Sequence, residues 1–341
     1  MPDASTLAVL GAVVVLALAF DFINGFHDTA ISIATSVSTR VLTPRQAILM
    51  AAVLNFVGAL ISHSVAKTIS SGLVHTQLVP EYVVIATLIA AITWNLVTWY
   101  YGIPSSSSHA LIGGLVGSAI AFSAGLDIVK WDGVVEKVLI PLVTSPVVGF
   151  LLGYVFMKLL AAALAWASPQ FVNRWFSKLQ IVSAAFMAYS HGMNDAQKSM
   201  GIITFAMIGA NILPLGANVP VWVMLACALA MALGTATGGW RIIKTMGCSM
   251  IKLQPINGFA AQTTGAAVIV AASIIGAPVS TTHVVSSSIM GVGASKRLSA
   301  VRWMLAWNIV WAWVITIPVT AIMGALVVLA IKTLRVLLHI G

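Results

Sequence analysis

Apolar runs of nearly bilayer thickness recur along this chain, and they restrict its fold more than any other feature. They lie at roughly 7–20, 47–61, 82–101, 134–160, 219–233, 258–275 and 304–331. Each approaches the ~20 residues that a helix needs to cross a hydrocarbon core. Backbone polar groups in hydrocarbon must bond to one another, and the period-2 alternation of barrel strands is absent. The chain is therefore predicted to be an all-α polytopic membrane protein. Only 7% of the 341 residues are charged, against about 25% in a soluble domain. The first five residues hold no basic cluster, so 7–20 reads as a first span and not as a cleaved signal. A net charge of +9 without a basic patch predicts no nucleic-acid partner. Cys227 and Cys248 fit no metal or disulfide spacing and read as apolar filler, and no cofactor is expected.

The sequence also repeats itself. Asn24-Gly25-Phe26-His27-Asp28 returns as His191-Gly192-Met193-Asn194-Asp195, with Asn and His exchanged. Val65-Ala66-Lys67-Thr68-Ile69 returns as Ile242-Ile243-Lys244-Thr245-Met246. The stretch from Gly102 and Pro104 through Ser105-Ser106-Ser107-Ser108 to His109 returns from Gly276 and Pro278 through Ser280-Thr281-Thr282 to His283. Thr144-Ser145-Pro146 returns as Thr316-Ile317-Pro318. Four matches in one order and near one offset indicate a duplication. The expected units are a first repeat over 1–165, an interfacial linker over 166–178 and a second repeat over 179–341.

About five crossings are expected per repeat: 7–39 (interrupted), 46–63, 82–101, 109–123 and 134–160, then 179–209 (interrupted), 219–238, 255–275, 283–294 and 303–331. An odd number inverts the second repeat relative to the first. Charges agree with that inversion. Asp127, Lys130, Asp132, Glu136 and Lys137 sum to −1 before the last crossing of the first half, whereas Lys296, Arg297 and Arg302 sum to +3 in the second. Placing both termini outside puts Arg40, Arg45, Lys158, Arg174, Lys178, Arg241, Lys244, Lys252, Lys296, Arg297 and Arg302 inside, which satisfies the positive-inside rule. Only Lys67, Lys130, Lys137, Lys332 and Arg335 then lie outside, with Lys198 within a span. The linker interleaves Trp166, Phe171 and Trp175 with Arg174 and Lys178, as suits the membrane surface. Two inverted repeats with broken helices meeting at the midplane are the plan of a secondary transporter.

Three acids fall inside spans: Asp21, Asp28 and Asp195. An intramembrane carboxylate costs about 2.5–3.5 kcal/mol even on the lenient insertion scale, so each needs a reason. Asp28 and Asp195 are repeat-related, and each follows a glycine three positions earlier. Unwinding there would add carbonyls to the oxygens of Asn24 and Asn194, giving a hard-oxygen set for Na⁺ or a proton. Asp21 serves either helix packing or gating. Lys198 either neutralises Asp195 or attracts an anion. His27 and His191 are candidates for proton handling, and His63, His75 and His339 for the interface.

Pro104 and Pro278 are expected to open helices. Ser105, Ser106, Ser107, Ser108, Ser280, Thr281 and Thr282 would then offer hydroxyls and free N–H groups at helix N-termini, where phosphate-like anions bind. One such cluster would read as ordinary capping; two in repeat-related positions favour an anion. An anion beside two bare carboxylates is repelled by several kcal/mol. Cations must therefore neutralise the carboxylates as the anion binds, or a protonated oxyanion must donate to them. Symport follows from charge alone. Gly113, Gly117, Gly149 and Gly153 read as close helix-packing faces.

These residues resemble the PiT family of inorganic phosphate transporters over nearly the whole chain. Gly192-Met193-Asn194-Asp195, with Gln197-Lys198 after it, is similar to the duplicated Gly-x-Asn-Asp signature of that family. Gly25-Phe26-His27-Asp28-Thr29-Ala30, with His for Asn, resembles its bacterial low-affinity branch. The Pro-x-Ser-[Ser/Thr]-[Ser/Thr]-His motifs, Gly239-Trp240-Arg241 and Gly258-Phe259-Ala260-Ala261 also resemble it. The chain departs at Ile31-Ser32, where the family often has Asn-Ala, and at Gln262, where part of the family has Glu. It also lacks the large insert of many eukaryotic members. The resemblance implies phosphate, free or as metal–phosphate, at the Ser/Thr helix ends and cations at the Asp/Asn pairs, with Na⁺ on Asp28 and Asp195 if sodium is coupled. It also implies a homodimer in a bacterial inner membrane.

A sulfate permease of the same superfamily is the alternative, but fully ionised sulfate cannot donate to the two carboxylates. An intramembrane hydrolase would need one activated nucleophile beside one base, and here the hydroxyl clusters are duplicated. An anion channel has no use for buried acids. The coupling ion is expected to be H⁺, since imidazole at His27 is a poor ligand for Na⁺, with Na⁺ left to the intact Asn194-Asp195 pair.

Overall fold

The computed structural model describes residues 4–237, 243 and 253–337. Gly239, Trp240, Arg241, Ile242, Lys244, Thr245, Met246, Cys248, Lys252 and His339 fall outside that set, and with them one of the four repeated segments. Among the described residues the ordered elements are helices, with no β-strand.

The first half runs α1 (Ala4–His27), α2 (Thr29–Ser38), α3 (Pro44–Ala59), α4 (Ser64–Ser71), α5 (Glu81–Tyr101) and α6 (Ser107–Ser123). It ends in α7 (Trp131–Val134), which passes through a π-helical turn at Val135–Leu139 into α8 (Ile140–Ala163). The second half runs α9 (Pro169–Gly209), α10 (Val221–Thr237), α11 (Pro255–Ile274), α12 (Thr281–Lys296) and α13 (Trp303–Leu337). Local chemistry explains the ends. Thr43 and Gln46 form a reciprocal cap with Pro44 in the first turn of α3, and Gln254, Asn257 and Pro255 do the same for α11. Gly102 closes α5 at φ +66°, a left-handed position that favours glycine.

Among the described residues, four units are long and apolar enough to cross a membrane: Ala4–Ser38, Glu81–Tyr101, Trp131–Ala163 and Trp303–Leu337. Helices α3 and α4 qualify only together, bent by 67°. Helix α9 has a different character. From Ser190 to Ile208 every residue is buried, including Asn194, Asp195, Gln197, Lys198 and Ser199. It meets protein instead of lipid, and so tolerates polar residues that a lipid-facing helix excludes.

The halves interlock. Helix α6 packs on α13 and α12 packs on α8, while α3 packs on α9 and α1 on α10. Glycines permit these crossings. A Cβ at Gly117 would strike the backbone of Ala321, and one at Gly153 the carbonyl of Ser288. Two large hydrophobic clusters result, beside a small one of Ala272, Ala277 and Val279. One large cluster holds Met187 and Ala188 of α9, the other Ala196 and the residues after it. Ser190, His191, Asn194 and Asp195 fall between them.

Two expectations are corrected here. Helix α9 is continuous for 41 residues. The break at Asp28 spans one residue, whose N–H still bonds to the Asn24 carbonyl at 2.8 Å. Neither segment unwinds, because Gly25 and Gly192 serve close approach. A Cβ at Gly192 would collide with the backbone of Asn55 on α3, and one at Gly25 with Met231 on α10. In addition, Pro104 and Pro278 do not open their helices. Each stands two residues before the N-cap, which is Ser106 for α6 and Ser280 for α12. The residues of the expected linker from Pro169 onward are the first turns of α9, with Phe171 ringed by Trp166 at 5.9 Å and Trp175 at 6.2 Å.

Candidate functional site

The starts of α6 and α12 come together. Ser108 Oγ donates to the Val279 carbonyl at 3.1 Å, and the His109 and His283 rings lie 4.7 Å apart, edge to face. Ser106 and Ser280 act as caps, each accepting from the N–H three residues on at 3.2 Å. Ser107 and Ser108, like Thr281 and Thr282, therefore occupy the first turn, where N–H groups and the helix dipole favour an anion.

The carboxylates sit at the head of α12. Thr281 Oγ1 donates to Asp195 Oδ2 at 3.2 Å, and the next hydroxyl, Thr282 Oγ1, donates to Asp28 Oδ1 at 3.3 Å. Two adjacent residues of one helix start thus reach both repeat-related acids. Around Asp28 the network continues through His27 Nδ1 at 2.6 Å, then from His27 Nε2 to Thr98 Oγ1 at 3.2 Å. Ser105 Oγ adds a hydrogen bond to Thr98 Oγ1 at 2.8 Å. One hydroxyl of the first cluster is thereby linked to the first carboxylate.

Asp195 is more heavily engaged. Lys198 Nζ donates to its Oδ1, while His191 Nε2 at 3.2 Å and Asn24 Nδ2 at 3.5 Å join Thr281 at Oδ2. His191 Nδ1 lies 3.2 Å from Asn55 Oδ1, and Asn55 Nδ2 donates to Thr29 and Thr235 at 2.9 and 3.0 Å. Asn194 turns aside, donating to Ser273 at 2.8 Å. The Oδ1 atoms of Asn24 and Asn194 are buried without a hydrogen-bond partner, and so remain available to a cation. Both oxygens of Asp21 are likewise buried, close to Ser199, Cys227 and the Asp195–Lys198 pair.

All the candidate residues are at most 3% exposed. The centre is closed to solvent in this conformation. Sequence reading missed Thr29, Asn55, Thr98, Thr235 and Ser273. Asn55 was the accessible one, as the only amide inside the apolar run 47–61. A single Thr or Ser in such a run is common, because its hydroxyl can bond to its own helix; Thr98 does so at 3.0 Å to Trp94.

Comparison with known proteins gives a consistent result. The sequence model described as "Phosphate transporter family" matches residues 24–324. A Bacillus subtilis protein described as a "probable low-affinity inorganic phosphate transporter" is 52% identical over 316 residues, covering 92% of this chain and 94% of that one. A Rhizobium meliloti protein with the same description is 48% identical over 325 residues, covering 94% and 97%. A solved structure described as "The sodium-dependent phosphate transporter" superposes with a TM-score of 0.86 at 26% identity, covering 96% of this chain and 99% of that one.

Proposed function

The chain belongs to the phosphate transporter family, whose members are membrane transporters and not enzymes, and from that premise we propose cation-coupled import of inorganic phosphate. One observation carries the reading: Thr281 and Thr282, in the first turn of an anion-seeking helix, give their hydrogens to Asp195 and Asp28. While the carboxylates hold those hydroxyls, phosphate lacks its donors and meets an acid pair of net negative charge, since Lys198 offsets only Asp195. A cation or proton arriving at the carboxylates releases the hydroxyls and removes the repulsion in one event. Phosphate then binds between the starts of α6 and α12, to Ser105, Ser106, Ser107, Ser108, Ser280, Thr281 and Thr282. Asp28 and Asp195, with Asn24, Asn194, His27 and His191, form the cation side.

The proposed coupling ion is H⁺. His27 sits against Asp28 and, through Thr98, in contact with Ser105, a relay suited to a proton. Na⁺ is the second reading, favoured by the sodium-dependent structural neighbour and by the unpartnered amide oxygens of Asn24 and Asn194. Two inverted repeats, 1–165 and 179–341, joined by 166–178, would let the interlocked halves rock about the centre. The resemblance supports metal–phosphate as a further substrate form, a homodimer and a bacterial inner-membrane location, and the distribution of basic residues supports placing both termini outside. The test is uptake of labelled phosphate by proteoliposomes under imposed proton or sodium gradients. Accumulation driven by neither gradient would overturn symport.

A further inference from the structure

The two carboxylates are related by the repeat, but their partners differ in charge. Three residues after Asp195 stands Lys198; three residues after Asp28 stands Ile31. Lys198 and Asp195 are both wholly buried, and the ammonium donates to Asp195 Oδ1. With Thr281, His191 and Asn24 on Oδ2, both oxygens of Asp195 are occupied by the protein's own groups. At Asp28 the contacts come from His27 and Thr282, both on Oδ1, and among the described residues no ammonium or guanidinium pairs with it.

Resting on the transport reading, we propose that Lys198 is a tethered cation, filling at Asp195 the place that a free coupling cation takes at Asp28. A lysine ammonium carries the same charge as Na⁺ and sits one helical turn from the acid, so no ion need be drawn from solution to neutralise it. Asp28, Asp195 and Lys198 together carry −1, and a single free cation brings this set to zero before phosphate binds. The second half then has no vacancy for a transported ion, and each cycle moves one cation fewer than two open carboxylate sites would. Lys198 is thus a residue that sets coupling stoichiometry. A role confined to contacting phosphate would leave cation binding unchanged when Lys198 is replaced.

The experiment is equilibrium binding of ²²Na⁺ to the purified full-length protein in lipid nanodiscs, without phosphate, at fixed pH. Lys198→Ala is expected to bind one more Na⁺ per chain than wild type. Lys198→Arg should match wild type, and Lys198→Ala combined with Asp195→Asn should lose the added site. Lys198→Gln, one atom shorter and uncharged but still carrying N–H donors, should behave like the alanine variant. No added Na⁺ in folded Lys198→Ala and Lys198→Gln would overturn the assignment. If both variants unfold in sodium-free buffer, restoration of the fold by Na⁺ but not by choline supports it, and failure of Na⁺ to restore the fold overturns it. Because the assay contains no phosphate, failure of wild-type phosphate uptake would sink the transport reading separately.

Discussion

At the residue scale, function turns on which group holds each hydroxyl hydrogen. Asp28→Asn and Asp195→Asn are each expected to abolish concentrative uptake while leaving helix content unchanged, measured by labelled phosphate in proteoliposomes and by circular dichroism. Normal accumulation by either variant would remove that residue from coupling. Replacing Ser280, Thr281 and Thr282 together by Ala should weaken phosphate binding more than cation binding. Each hydrogen bond lost to a charged group costs about 1.5–3 kcal/mol, with part regained from water. Unchanged phosphate affinity, read by isothermal calorimetry, would place the anion elsewhere. His27→Asn is expected to make uptake depend on Na⁺, whereas wild type should transport in sodium-free medium under an inward proton gradient; loss of wild-type transport there would reverse the ion assignment. The acids were legible in the sequence because charge in an apolar run is costly and conspicuous. The groups behind their motif neighbours, Thr29 beside His191, Thr98 beside His27 and Ser273 beside Asn194, were not, because a lone hydroxyl leaves almost no trace in composition. Lys198 was visible, but its choice between Asp195 and an anion needed three-dimensional contacts.

At the scale of the element, apolar length and capping residues located most helices closely. The expected spans at 82–101 and 255–275 became Glu81–Tyr101 and Pro255–Ile274. The prolines were misplaced by only two residues, whereas the larger failure has one cause: glycines were read as places where helices unwind. Gly25 and Gly192 instead admit the backbones of α10 and α3, and such proximity leaves no local signature because the partner lies far away in sequence. Gly192→Ala tests this. Its Cβ would meet the Asn55 backbone, so the chains must separate, at a cost of about 1–3 kcal/mol typical of overpacking. A lower thermal midpoint is expected by intrinsic fluorescence, with phosphate uptake reduced because Asn55 also holds His191. An unchanged midpoint would restore the unwinding reading.

At the scale of the whole molecule, the halves exchange partners, since the short helix of each packs on the last helix of the other. Opposite orientation predicts that single cysteines at Asp132 and Arg302, equivalent positions before α8 and within the turn leading into α13, react with impermeant maleimide from opposite sides of the membrane. Labelling of both from one side would make the repeats parallel.

Helix α9, unbroken over 41 residues, is about 60 Å long at ~1.5 Å per residue, twice the ~30 Å hydrocarbon thickness. Its buried middle carries Asp195 and Lys198, while its first turns carry Phe171 and Trp175. A stiff rod held at one end and loaded in the centre works as a lever. Any tilt that admits solvent to the carboxylate swings the aromatic end through a wider arc, and at the interfacial position proposed for it that end would sweep the headgroup layer.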